Sequence, residues 1–135
     1  MKEEDRDVLE VLKVELTFIE KGGYGRSVRT PWLATSVFED SPTCLNLGDP
    51  NRSRPCSECI LIALVPSERR SEAVPCHHIR LTAEGETIYY LERNETQEVM
   101  EEKVKNWLVR MIDLIQATRT GRAKAAHGIA AVAGP

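Results

Sequence analysis

Four cysteines constrain this 135-residue chain more than any other feature of its sequence. They follow the spacing Cys44-x11-Cys56-x2-Cys59-x16-Cys76. Two residues between Cys56 and Cys59 allow a tight turn that directs both sulfur atoms at one ion. Cys44 and Cys76 each follow a proline-containing loop. The sequence therefore predicts one metal site built from all four thiols.

The metal and the fourth ligand stay open on this evidence. Closed four-thiolate sites are typical of structural zinc, which can supply much of the free energy that folds small loops. An iron–sulfur cluster also takes four thiolates, and the spacing does not exclude one. His77 and His78 follow Cys76 directly, so three cysteines with one of these histidines form the alternative ligand set.

The ends and apolar runs of the chain predict a cytoplasmic protein. The first residues carry no apolar run of the kind found in signal peptides. The longest purely apolar run, residues 60–65, is far too short to cross a bilayer. In a reducing compartment, four cysteines indicate metal ligands rather than disulfides.

The apolar pattern predicts an α+β fold with a small antiparallel sheet. Residues 12–18 alternate strictly between apolar and polar side chains, which is typical of a half-buried strand. Residues 32–39, 77–82 and 87–91 are predicted to form further strands. Residues 59–65 are predicted to form a buried strand or a short helix.

One long carboxyl-terminal helix, roughly residues 96–118, is predicted to pack on this sheet. Its apolar residues recur at three- and four-residue spacing: Met100, Val104, Trp107, Leu108, Met111, Ile112 and Ile115. Asn94 and Gln97 resemble a capping box at its start, and Gly121 marks its end. Residues 1–120 are thus predicted to form one metal-stapled domain, and the Ala- and Gly-rich residues 121–135 a disordered tail.

The charge pattern favours a protein partner over a nucleic acid. The formal net charge is -3, although residues 21–80 hold eight basic and six acidic side chains, a net of +2. Arg26, Arg29, Arg52 and Arg54 are the candidate partner-binding residues in this basic middle. A dimer through the carboxyl-terminal helix is a further option if its apolar arc is wider than the sheet covers.

Three functional hypotheses follow. The leading one is a non-enzymatic zinc-binding interaction or adaptor module, because no catalytic group stands at an informative spacing from the cysteines. The alternative is an iron–sulfur redox or sensor protein, such as an accessory subunit of an electron-transfer complex. The third is an enzyme with an open three-thiolate zinc site that uses His77 or His78.

Overall fold

The computed structural model of the chain describes residues 7–24, 36–47, 49, 51 and 53–125, with side chains through residue 120. Within these ranges the chain is helical and contains no strand. Its α-helices are α1 (Val8–Glu20), α2 (Ile88–Asn94) and α3 (Gln97–Ala125). Four short 3-10 helices lie between α1 and α2: Cys56–Glu58, Ile60–Leu64, Ser67–Arg69 and Pro75–His78. The predicted α+β fold with an antiparallel sheet is therefore wrong.

Helix α1 replaces the strand predicted over residues 12–18. Asp7 caps it, since its Oδ2 accepts hydrogen bonds from the amides of Leu9 (3.1 Å) and Glu10 (3.3 Å). Val14 lies on the outer face, with 47% of its surface exposed. The buried residues recur with helical spacing: Val11, Leu12, Glu15 and Ile19. The strand prediction failed because one of these core positions holds a charged residue, which hid the helical period.

The other predicted strands also form helices or turns where the structure describes them. Residues 87–91 largely belong to α2, which Thr87 caps by accepting a hydrogen bond from the Tyr90 amide (3.1 Å). The segment 77–82 begins inside the 3-10 helix Pro75–His78. Residues 60–64 form a 3-10 helix, so the helical alternative holds there. Of the segment 32–39, residues 32–35 lie outside the described residues and the rest forms a turn.

The long carboxyl-terminal helix is confirmed as α3, although the surface it packs on is α1 and not a sheet. Thr96 caps it through a 3.1 Å hydrogen bond from the Val99 amide, whereas Asn94 ends α2. The helix also runs past Gly121 to Ala125. Residues 126–135 of the predicted tail lie outside the described residues.

The core lies between α1 and α3, and the intervening loops are bonded to both. Leu12 of α1 and Val104 and Leu108 of α3 are fully buried in it. Arg110 of α3 donates a 2.5 Å hydrogen bond to the Leu81 carbonyl. These contacts hold the loop region, which includes the cysteine-bearing turns, against the two packed helices. Among the described helices, none is both long and apolar enough to span a membrane.

Candidate metal centre

All four cysteines line one cavity of about 30 Å³. They come from three separate stretches of chain: Cys44, the pair Cys56 and Cys59, and Cys76. A cavity of this size admits one or two bodies the size of a water molecule. The remaining lining is mostly apolar: Phe38, Glu39, Leu45, Asn46, Pro55, Leu61, Ile62 and Pro75.

Each cysteine lies in a tight backbone turn. The Leu47 amide donates to the Cys44 carbonyl (3.2 Å), and the Cys59 amide donates to the Cys56 carbonyl (3.0 Å). The Ile79 amide donates to the Cys76 carbonyl at 3.4 Å. Prolines precede Cys56 and Cys76, and their fixed φ suits the start of a short helical turn. Each of the three cysteine-bearing segments therefore forms a turn or 3-10 helix where it lines the cavity.

Asn46 joins two of these segments. Its Nδ2 donates to the Arg54 carbonyl and its Oδ1 accepts from the Arg54 amide, both at 2.9 Å. The side chain is only 6% exposed, so both of its polar atoms are satisfied inside the protein. This pair of bonds fixes the turn after Cys44 against the chain that leads into Cys56.

The turn at residues 37–40 forms another wall of the cavity. Phe38 has φ 70, a left-handed conformation that costs about 1–2 kcal/mol for a residue with a Cβ. Two buried side chains hold this turn. Tyr24 accepts a 2.9 Å hydrogen bond from the Phe38 amide, and Nε2 of His77 donates to the Val37 carbonyl at 2.8 Å. Phe38 packs in turn against Trp107 of α3, with ring centroids 6.3 Å apart.

A buried polar network connects α1 to the turn that precedes Cys44. Glu15 is 1% exposed and accepts hydrogen bonds from the hydroxyls of Tyr24 and Thr43. The Thr43 hydroxyl lies 2.6 Å from that of Ser41. Burial raises the pKa of Glu15 above its ordinary value, against the lowering effect of these hydroxyl donors. Burial and the adjacent Glu15 also raise the pKa of Tyr24, which keeps its hydroxyl available as a donor.

The ionisation of the Cys76 thiol depends on burial and on the neighbouring acidic groups. Burial, followed by the nearby Cys59, Glu39, Cys56 and Cys44, raises the pKa of the Cys76 thiol well above its usual range. All four cysteines are free thiols in the structure. Within the described part of the chain, no three or more histidine, cysteine, aspartate or glutamate side chains are arranged to hold a metal ion. The four side chains therefore share a cavity, but their sulfur atoms do not meet at one point.

The two candidate histidine ligands contact other groups. His77 is buried, and its Nε2 bonds to the Val37 carbonyl and lies 3.2 Å from the Ser36 hydroxyl. The His78 ring stacks on Tyr89, with centroids 5.1 Å apart and an interplanar angle of 27°. Neither histidine is among the residues that line the cysteine cavity.

Only one member of the predicted arginine surface can be placed. Arg54 is partly buried, and its Nε lies 3.5 Å from a carboxylate oxygen of Glu58. Arg26, Arg29 and Arg52 lie outside the described residues. Their role in contacting a partner stays a prediction.

Sequence patterns gave no indication of Asn46, Tyr24 or Glu15 as residues that shape the cavity. Tyr24 lies within a glycine-rich stretch, residues 22–25, and Glu15 falls on the polar side of the apparent alternation in residues 12–18. A single Asn two residues after a cysteine carries no periodic signal. One sequence feature was informative: Asp7 with Glu10 three residues later resembles a capping box, which would have indicated the start of α1.

Comparisons of the chain with family models, curated proteins and solved structures gave no match in any of the three.

Proposed function

We propose that this protein is a non-enzymatic zinc-binding interaction module in which Cys44, Cys56, Cys59 and Cys76 bind one zinc ion. The observation that carries the proposal is the presence of all four thiols, from three separate stretches of chain, around one small cavity. Four is the number of ligands that a closed structural zinc site uses.

The charge around the thiols supports a cation as the group they hold. Negative charge on the other thiols and on Glu39 makes the Cys76 thiolate harder to form. A divalent cation reverses this balance, because it deprotonates the thiols that coordinate it. Zinc binding requires the cysteine side chains to rotate inward until each sulfur lies about 2.3 Å from the ion.

The size of the cavity favours a single ion over an iron–sulfur cluster. A space of about 30 Å³ accepts one or two water-sized bodies, whereas a cluster brings several iron and sulfide atoms into the protein. A closed site of four thiolates also leaves no coordination position for water, which a catalytic zinc requires.

In this proposal the metal staples three loop segments to the helix pair. These segments consist of turns and short 3-10 helices, and a structural zinc ion contributes folding free energy to loops of this kind. The stapled loops would present a fixed surface to a protein partner, with Arg54 beside the Cys56–Glu58 turn as a described member of the contacting arginines.

Metal content is the test. We expect about one zinc per chain and no visible absorbance in full-length protein purified anaerobically without added metal. Cys59→Ser should lose the zinc because it removes a ligand, whereas Ser57→Ala, an exposed change in the same turn, should keep it. Elemental analysis and an absorption spectrum provide both readouts.

A second measurement covers the case in which Cys59→Ser fails to fold. Chelation of the wild-type protein should lower its melting temperature, and added zinc should restore it. If the purified protein instead contained iron and acid-labile sulfide, the zinc proposal would be wrong and the iron–sulfur hypothesis would take its place. The proposal would be refuted if the wild-type protein held no metal and its melting temperature changed with neither chelator nor added zinc.

A further inference from the structure

A second cleft, of about 320 Å³, is separate from the cysteine cavity and shares no lining residue with it. His78 lines this cleft, while Cys76, two residues earlier, lines the cavity. The volume falls at the lower end of the range for small-molecule sites. Arg69, Arg80 and Tyr89 contribute to its walls, so two guanidinium groups and an aromatic ring face one space.

The protein's own carboxylates contact each of the basic groups in this cleft. Nη1 of Arg69 lies 2.9 Å from Oε2 of Glu72, and Oε1 of Glu72 lies 3.9 Å from Nε2 of His78. Nη2 of Arg80 lies 3.3 Å from a carboxylate oxygen of Glu68. Oxygen atoms of negatively charged groups therefore already occupy positions that suit an anionic ligand.

These ion pairs are weak enough to be exchanged. The side chains of Arg80 and Glu68 are 65% and 62% exposed, and those of Arg69 and Glu72 are 54% and 38% exposed. Exposed pairs of this kind contribute little free energy, because water screens the charges and the long side chains lose entropy. An anion that contacts both guanidinium groups at once can displace the carboxylates of Glu72 and Glu68.

Phosphate is the anion that best matches these donors. Each guanidinium can present two parallel N–H groups, and the His78 ring adds another donor. A phosphate monoester offers three terminal oxygens and up to two negative charges, where a carboxylate offers two oxygens and one charge. The Arg93 guanidinium, 3.6 Å from the centroid of the Tyr89 ring, adds positive charge nearby.

We propose that this cleft binds the phosphate group of a small organic phosphate, with Arg69 and Arg80 as the principal ligands. The ligand displaces Glu72 from Arg69 and Glu68 from Arg80. The remaining volume, beside Tyr89, receives the organic part of the molecule. This activity is separate from the zinc proposal, and its failure would leave that proposal unchanged.

The test is calorimetric titration of the full-length, as-purified protein with glucose 6-phosphate and, separately, with inorganic phosphate at matched ionic strength. We expect saturable binding that Arg80→Ala weakens about tenfold, since a hydrogen bond between charged groups accounts for roughly that factor. Lys13→Ala, which removes one exposed positive charge from α1, is the matched control and should leave binding unchanged.

Glu72→Gln gives the sharpest discrimination. It removes a competing carboxylate and should tighten binding severalfold, whereas a generic loss of structure would weaken it. Tighter binding of the sugar phosphate would identify an organic phosphate as the ligand, and equal affinity would identify free phosphate. Absence of saturable binding to either probe, or weaker binding by Glu72→Gln, would overturn the proposal.

Discussion

At the scale of single residues, Glu15 has the least usual environment in the described structure. Its carboxyl group is buried between α1 and the turn before Cys44, where it accepts hydrogen bonds from two hydroxyls. Hydroxyl donors stabilise a carboxylate less than a cation does, so the raised pKa is caused mainly by desolvation. The folded protein therefore favours the protonated form of Glu15, and ionisation of this carboxyl group lowers the free energy of unfolding.

We predict that this carboxyl makes stability depend on pH. In the unfolded chain Glu15 has its ordinary pKa, and in the folded protein its pKa is higher. Its contribution is therefore fully present below the unfolded value and is lost as the pH rises through the folded value, by up to about 1.4 kcal/mol per pH unit. The stability of the wild type relative to Glu15→Gln should fall as the pH increases from 4, below the ordinary pKa of a glutamate, to 8.

Urea unfolding of both proteins at each pH measures this difference, because any effect common to the two cancels. Glu20→Gln, an exposed carboxylate at the end of the same helix, corrects for the change in net charge. A difference between wild type and Glu15→Gln that stays constant over this range would contradict the prediction.

Asn46 gives a second residue-level prediction. Asn46→Ala removes both 2.9 Å hydrogen bonds to the Arg54 backbone, so we expect a loss of about 2 kcal/mol in the free energy of unfolding. If the cysteines bind zinc, its affinity should also fall about tenfold, because the clamp positions the Cys44 and Cys56 turns. Denaturant titration and competition with a zinc chelator measure the two effects.

Asn106→Ala, on the exposed side of α3, is the control and should change neither quantity. If Asn46→Ala matched this control in both assays, Asn46 would have no part in holding the two turns together.

At the scale of elements, α1 separates two interpretations of the same residues. As a strand, Leu12 and Val14 would share one buried face; as a helix, Leu12 is fully buried and Val14 is 47% exposed. We predict that Leu12→Ala costs about 2–5 kcal/mol, because it leaves a cavity between α1 and α3. Val14→Ala should change stability by no more than about 0.5 kcal/mol. Thermal or urea unfolding of the two variants measures these changes. Equal losses in the free energy of unfolding would favour a strand over residues 12–18.

Whether each helix could be predicted from the sequence depended on how clearly its apolar residues repeat at helical spacing. Helix α3 could be predicted because seven apolar residues repeat at helical spacing over several turns, and no strand shares that period. The apolar pattern did not reveal α1 or α2: a buried Glu15 interrupts the stripe of α1, and α2 has only seven residues, with two adjacent tyrosines that are common in strands. For α1, the capping pattern of Asp7 and Glu10 was the local signal that pointed to a helix. Tertiary packing decided both.

The candidate site was predictable only in part. The cysteine spacing led to the expectation of one shared site, and the four side chains do line one cavity. Metal binding itself remains the proposal made above. The turn at Phe38 and the clamp at Asn46 depend on contacts between residues eight or more positions apart, such as Tyr24 with Phe38. No local pattern encodes such contacts.

At the scale of the whole molecule, the first and last described helices, α1 and α3, pack against each other. Asp7, which caps α1, makes two hydrogen bonds to Arg119 of α3, at 2.7 and 3.2 Å. The hydrogen bond from this guanidinium lowers the pKa of Asp7 below its ordinary value, which favours the charged form that the ion pair requires. The turns that carry the cysteines lie in the closed loop between these two helices.

This arrangement has a consequence for the order of events during synthesis on the ribosome. The apolar face of α1 emerges first but has to wait for α3, which is translated after all four cysteines. Until α3 is complete, the α1 face and the thiols lack the helix that covers the core in the folded protein. A metal ion bound at this stage would bring the central turns together early. It would thereby lower the loop-closure entropy that is lost when α1 and α3 pair.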